Sequence, residues 1–110
     1  MSNYHPDRWL VVKINSDQPH YRVFGTWSGG YTTGASWKLN SGITKISEEG
    51  QYYNFEGSSG SVYECNKSSY GATAYGYGVL MQMIKDSAEV NKVDIEILPE
   101  ETNFMEINYE

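Results

Sequence analysis

With 110 residues, 20% of them charged and 39% apolar, the chain has the length and balance of one globular domain. Its net charge of −6 argues against nucleic acid as the main partner, because phosphate contacts need Lys and Arg. The longest apolar runs, Trp9 to Val12 and Val79 to Met81, fall far short of the roughly 18 residues of a membrane-spanning helix, so no membrane partner is expected.

Residues 8–14 (RWLVVKI) are dense in β-branched side chains and nearly apolar on both faces, which predicts a central strand. A turn cluster at 15–19 leads to a second strand over 20–27. There Tyr21, Val23 and Trp27 share one face, and Arg22, Phe24 and Thr26 share the other. Gly25 inside that strand points to a bulge or to a close approach by another group. Beyond the glycine-rich connection 28–34, short alternating segments at 36–39, 43–47, 51–56 and 61–65 are separated by turn signals at 40–42, 49–50 and 57–60.

The period then changes. Residues 66–78, rich in Tyr, Ser and Gly, read as a loop. Val79, Leu80, Met83, Ile84, Ser87 and Ala88 recur at helical spacing, with Lys85 and Glu89 standing as an i,i+4 pair, so a helix is predicted at about 76–90. Asn91 is the expected left-handed stop. Residues 92–98 alternate as a strand that Pro99 ends, and Phe104 to Tyr109 fit either a short strand or a tail. The expected fold is therefore α+β: one domain over 1–110, an antiparallel meander of five to seven short strands, open or barrel-like, with one helix.

Residues 36–43 (SWKLNSGI), and residues 60–65 (GSVYEC) with Tyr70 and Gly71 after them, resemble segments of small uncharacterised proteins encoded by bacteriophages. The resemblance implies an accessory protein of a phage or mobile element. It brings no catalytic residue with it.

Nothing in the residues themselves assembles a reaction. Residues 71–76 have the outer spacing of a phosphate-binding loop, but Tyr77 and Gly78 stand where Lys and Ser or Thr are needed. The glycines read as turns requiring positive φ. Cys65 would need His5 or His20 beside it to act as a nucleophile, and at the end of an apolar strand it reads as a small buried hydrophobe. His5, Asp7, Asp17 and His20 are metal-ligand types, but Pro6 and Pro19 among them mark extended or turning backbone. The carboxylate pairs Glu48–Glu49 and Glu100–Glu101 sit beside turns, as solvated loop charge does. No catalytic residue, metal ligand or cofactor is expected.

The aromatic load is the feature that points outward. Ten Tyr, three Trp and three Phe exceed what most domains of this size carry. Trp27, Tyr31 and Trp37 flank one loop, while Tyr70, Tyr75 and Tyr77 crowd another. Such rings fill small cores, but they also anchor protein interfaces and stack on sugars or bases. Charge is uneven as well: residues 1–47 sum to +3 (five basic, two acidic) and residues 48–110 to −9 (three basic, twelve acidic). The leading expectation is a non-catalytic accessory protein that binds another protein, or itself, through the aromatic loops and the acidic C-terminal segment. The alternative is a small-ligand or carbohydrate-binding module built on Trp27 and Trp37, and an enzyme using Cys65 or a histidine comes last. One cysteine and no charged-then-apolar leader in residues 1–8 make a reducing, cytoplasmic setting the expectation.

Overall fold

The computed structural model describes residues 3–29 and 35–109. Its strands are β1 (Asn3–Tyr4), β2 (Arg8–Asn15), β3 (His20–Trp27), β4 (Ser36–Leu39), β5 (Ile43–Glu49), β6 (Tyr52–Gly57), β7 (Val62–Asn66) and β8 (Asp94–Ile97), with one helix, α1 (Ala74–Asp86), between β7 and β8. They form two four-stranded sheets, ordered β1-β7-β6-β5 and β4-β3-β2-β8. The expected α+β class holds, but the meander is divided between two packed sheets and neither closes into a barrel. Pairing is antiparallel except where β1 runs parallel to β7.

The double-sided hydrophobicity of β2 has a direct structural cause. Trp9 and Val11 point into a core shared with Val23, Ile43, Phe55, Tyr63, Cys65 and Phe104, between the two sheets. Leu10 and Val12 point the other way, onto Phe24 and onto Leu80 of α1. The strand is thus the middle layer of a sheet–sheet–helix stack, buried on both faces. Trp9 sits at the centre of an aromatic cluster, with the rings of Tyr70, Phe104 and Phe55 centred 4.7, 5.3 and 5.5 Å away. Its indole N–H donates to the Asn66 carbonyl at 2.6 Å, so the buried ring keeps no unpaired polar atom.

Gly25 marks a close approach, as its position suggests: a Cβ there would lie 3.0 Å from the Cβ of Pro6.

Three boundaries differ from the sequence reading. The helix begins at Ala74, inside the segment read as loop, because the Thr73 side chain caps it by accepting the Gly76 N–H at 3.1 Å. Gly76 also has to be glycine, since a Cβ would overlap Cγ2 of Thr26 on β3. At the other end α1 runs into a single π turn, Ser87–Asn91, and the left-handed stop falls on Lys92 (φ 58°) rather than Asn91. No ion pair joins Lys85 to Glu89, which lies within that turn. Finally, residues 104–109 are neither strand nor tail. Phe104–Glu106 is a short 3₁₀ turn that buries Phe104, and the Tyr109 hydroxyl donates to the Phe104 carbonyl at 2.7 Å.

Candidate functional site

β1 and β4 are edge strands of different sheets, and between them lies a groove of about 650 Å³. Asn3, Tyr4 and His5 line one side, Ser36, Trp37 and Lys38 the other, and Trp27 at the end of β3 closes it. Both tryptophans line this groove, although the register turns their side chains to opposite faces of the sheet: Trp37, paired with Thr26, lies on Phe24, and Trp27, paired with Ser36, turns toward His5. Each is held in place. The Trp27 indole donates to the His5 carbonyl at 3.0 Å, and Asp7 accepts from the Ser28 amide at 2.9 Å, fastening the end of β3 to the chain after β1. Trp37 stacks on Phe24 with ring centres 5.6 Å apart and planes 24° from parallel, yet stays 37% exposed. Lys38 reaches across the groove to lie over the Tyr4 ring, 5.2 Å from its centre. Aromatic faces with a few polar groups among them are the usual composition of a small-ligand site.

The tyrosines divide. Tyr75 and Tyr77 are 53% and 43% exposed on the first turns of α1, near exposed Met81. Beside them runs a shallower groove lined by Ala74, Tyr75, Gly78, Val79 and Met83. Tyr70 belongs to the interior instead. Its ring packs on Trp9 and Phe104, and its hydroxyl donates to the Leu98 carbonyl at 2.5 Å and accepts the Val11 N–H at 3.2 Å. Burial pushes that hydroxyl up to about 12 against the opposing pull of the Val11 hydrogen bond. An aromatic in a glycine-rich segment looks exposed in sequence, and only the parallel bridge between Trp9 and Tyr70 reveals otherwise. Tyr31 lies outside the described residues.

Cys65, both histidines, Asp7 and Glu48 are each occupied elsewhere. Cys65 is fully buried, its thiol donating to the Tyr63 carbonyl at 3.7 Å, and burial, with Glu64 adding to it, pushes the thiol far up. His5 contacts the Glu64 carboxylate at 3.1 Å, while the two ring nitrogens of His20 meet Gln18 O and Arg22 Nε. Asp7 is taken up by Ser28, and Glu48 pairs with Lys67. Among the described residues no three His, Cys, Asp or Glu side chains converge.

The β1 side of the groove escaped the sequence reading. Asn3 and Tyr4 precede any hydrophobic pattern, and their placement depends on pairing with Val62 and Tyr63, some sixty residues away. No family model, curated protein or solved structure matches the chain.

Proposed function

We propose that this chain is a non-catalytic binding domain whose groove between β1 and β4 takes a carbohydrate. The observation that carries the reading is the aromatic lining of that groove, to which Tyr4, Trp27 and the partly exposed Trp37 contribute. Sugar rings present flat C–H faces that lie against aromatic rings, and hydroxyl edges that need hydrogen-bond partners. Asn3, His5, Ser36 and Lys38 supply such partners around the same groove. The deep burial of Cys65 supports the non-catalytic part of the reading, since a thiol kept protonated and out of reach is a poor nucleophile.

The test is a titration of the protein with a panel of neutral oligosaccharides, followed by tryptophan fluorescence. A binding sugar should shift the emission saturably. Trp37→Ala should weaken that sugar about tenfold or more, because truncating a stacked tryptophan costs on the order of 2 kcal/mol. A panel without any saturable response, or a sugar that binds the variant equally well, overturns the reading.

One further observation favours a protein partner as a second reading. Tyr77 and Met81, one turn apart on α1, stand exposed on one side of the helix and Tyr75 on the other, and such side chains are enriched in protein interfaces.

A further inference from the structure

Each four-stranded sheet leaves two edges, and the longest is β5, with seven residues against two in β1 and four each in β4 and β8. An open edge presents unpaired backbone N–H and C=O groups and is a template for another strand. From Thr44 to Glu49 every residue of β5 except Ile46 is exposed. The 3₁₀ turn Phe104–Glu106 meets the sheet from its inner face, with Phe104 against the rings of Tyr53 and Phe55. Among the described residues no strand but β6 pairs with β5.

The ladder shows which groups of β5 are left over. The Lys67 N–H donates to the Gln51 carbonyl and the Gly57 N–H to the Ser61 carbonyl, both at 2.9 Å. Residues 51 and 57, and the odd-numbered residues between them, therefore direct their backbone groups toward β7. Tyr52, Asn54 and Glu56 face β5 instead, where they meet Glu49, Ser47 and Lys45. What remains, the N–H and C=O of Ile46 and Glu48, points out of the sheet edge. The register irregularity falls between Ile43 and Lys45, so the stretch 45–49 beyond it is regular.

The side chains select the strand that fits this edge. Lys45 and Ser47 stand on the outer face of the sheet beside Asn54 and Glu56, and alternation puts Glu49 on the same face. Neither Lys45 nor Glu49 has an ion-pair partner among the described residues. A second β5, antiparallel and related by a two-fold axis through Ser47, sets Lys45 of each copy opposite Glu49 of the other. Centring the pair on Glu48 would set that carboxylate against its own copy, and centring it on Ile46 would leave Lys45 opposite Ser47 with no charge pair. The β8 edge lacks such a solution. Its exposed side chains are Asp94 and Glu96, so every two-fold pairing there opposes carboxylates.

We infer that β5 pairs with β5 of a second copy of this chain, antiparallel and centred on Ser47. Ile46 of each copy exchanges both backbone hydrogen bonds with Glu48 of the other, and the two Lys45–Glu49 pairs flank them on the outer face. Glu48 keeps its pair with Lys67 and brings no unpaired charge to the joint. The contact is self-complementary and closes on itself, as two-fold interfaces do. It joins two β1-β7-β6-β5 sheets into one continuous sheet with a β1 edge, and therefore a groove, at either end. The joint is small, so the dimer belongs to the weak, transient class. It does not depend on the sugar reading, because β5 is the edge of its sheet farthest from β1.

The experiment is sedimentation equilibrium of the full chain at protein concentrations up to about 1 mM, the range in which so small a joint is read. The wild type should show a monomer–dimer equilibrium. Lys45→Glu and Glu49→Lys each set like charges opposite one another and should each weaken the dimer about tenfold or more. Both substitutions in one chain should restore it, and mixing the two single variants should give a heterodimer. Amide hydrogen exchange identifies the edge directly. The Ile46 and Glu48 amides should gain protection as protein concentration rises, while the Ser47 amide is protected throughout. A wild type that stays monomeric over the whole range overturns the proposal. So does a dimer that both single variants leave intact, or one whose Ile46 and Glu48 amides exchange equally fast at every concentration.

Discussion

The hydroxyl of Tyr70 donates to the carbonyl of Leu98 at 2.5 Å, twenty-eight residues further along the chain. The same oxygen accepts the Val11 N–H, and the Val11 carbonyl in turn accepts the Leu98 N–H at 3.0 Å. Tyr70 thus completes the ladder between β2 and β8 just past its last paired residues, Val12 and Ile97. Tyr70→Phe keeps the ring among Trp9 and Phe104 but strands two backbone groups in a half-buried place. It should cost about 1–3 kcal/mol, read as a lowered midpoint in urea with an unchanged slope. A midpoint equal to wild type means that water replaces the hydroxyl.

Tyr63 and Tyr70 both hold their protons to about 12 in the folded state, with burial as the largest cause. An unfolded tyrosine releases its proton near 10. Between those values the unfolded chain carries fewer protons, so stability falls as pH rises. The contribution is fully present below about pH 10 and is lost as pH climbs through about 12. Thermal midpoints should therefore decline steeply across that window, and the decline should be shallower in Tyr70→Phe. A flat profile over the window contradicts the burial argument.

Gly76 and Gly78 lie two residues apart in α1 and should respond to alanine with opposite signs. At Gly78 a Cβ meets nothing within 4 Å, so Gly78→Ala should stabilise by about 0.5–1 kcal/mol through helix propensity alone. At Gly76 the added methyl collides with Thr26, so Gly76→Ala should destabilise by about 1–3 kcal/mol. Thermal melts of the two single variants decide it, and stabilisation in both would mean that α1 is free to move off the sheet.

These two glycines also show where sequence reasoning stopped. Strands β2 to β8 were legible because alternation and turn residues are local signals, and the helix was legible in the spacing of Leu80, Met83 and Ile84. The start of α1 was not, since two glycines outweigh one threonine cap until Thr26 is known to demand a residue without a side chain. The same limit hid the site. Trp27 and Trp37 were visible as aromatic residues, but Tyr4 and Lys38 acquire meaning only when the parallel β1–β7 pair brings the two sheet edges together.

Cys65 should behave as a packing residue. Its sulfur is enclosed with Phe55 and Trp9, and its thiol is pushed well above the ordinary range. Alkylation by iodoacetamide at neutral pH should proceed at the rate of protein opening, slowly in native buffer and at the free-thiol rate in denaturant. Rapid native labelling would place the thiol at the surface and reopen a nucleophilic role.

The helix face sets the last test, because it separates two ways of using aromatic residues. Tyr75 and Tyr77 occupy the first turns of α1 with more than two-fifths of each side exposed, while Gly76 between them and Leu80 one turn on hold the helix to the sheet. Replacing both tyrosines by serine removes only half-exposed side chains and leaves the Thr73 cap intact. The thermal midpoint should stay within a few degrees of wild type, since surface changes away from caps and cores stay within about 0.5 kcal/mol each. A protein interface centred on these rings would nevertheless lose affinity about thirtyfold, because truncating an anchoring tyrosine costs on the order of 2 kcal/mol. Sedimentation over a concentration series measures self-association directly, and with the β5 joint weakened by Lys45→Glu the double variant should abolish any concentration dependence that remains. Sugar binding in the Trp37 groove should be unaffected, because Tyr75 and Tyr77 do not line it. A wild type that sediments as a monomer at every concentration would remove self-association from the roles of this face. A double variant that unfolds would show that the two rings carry structure rather than recognition.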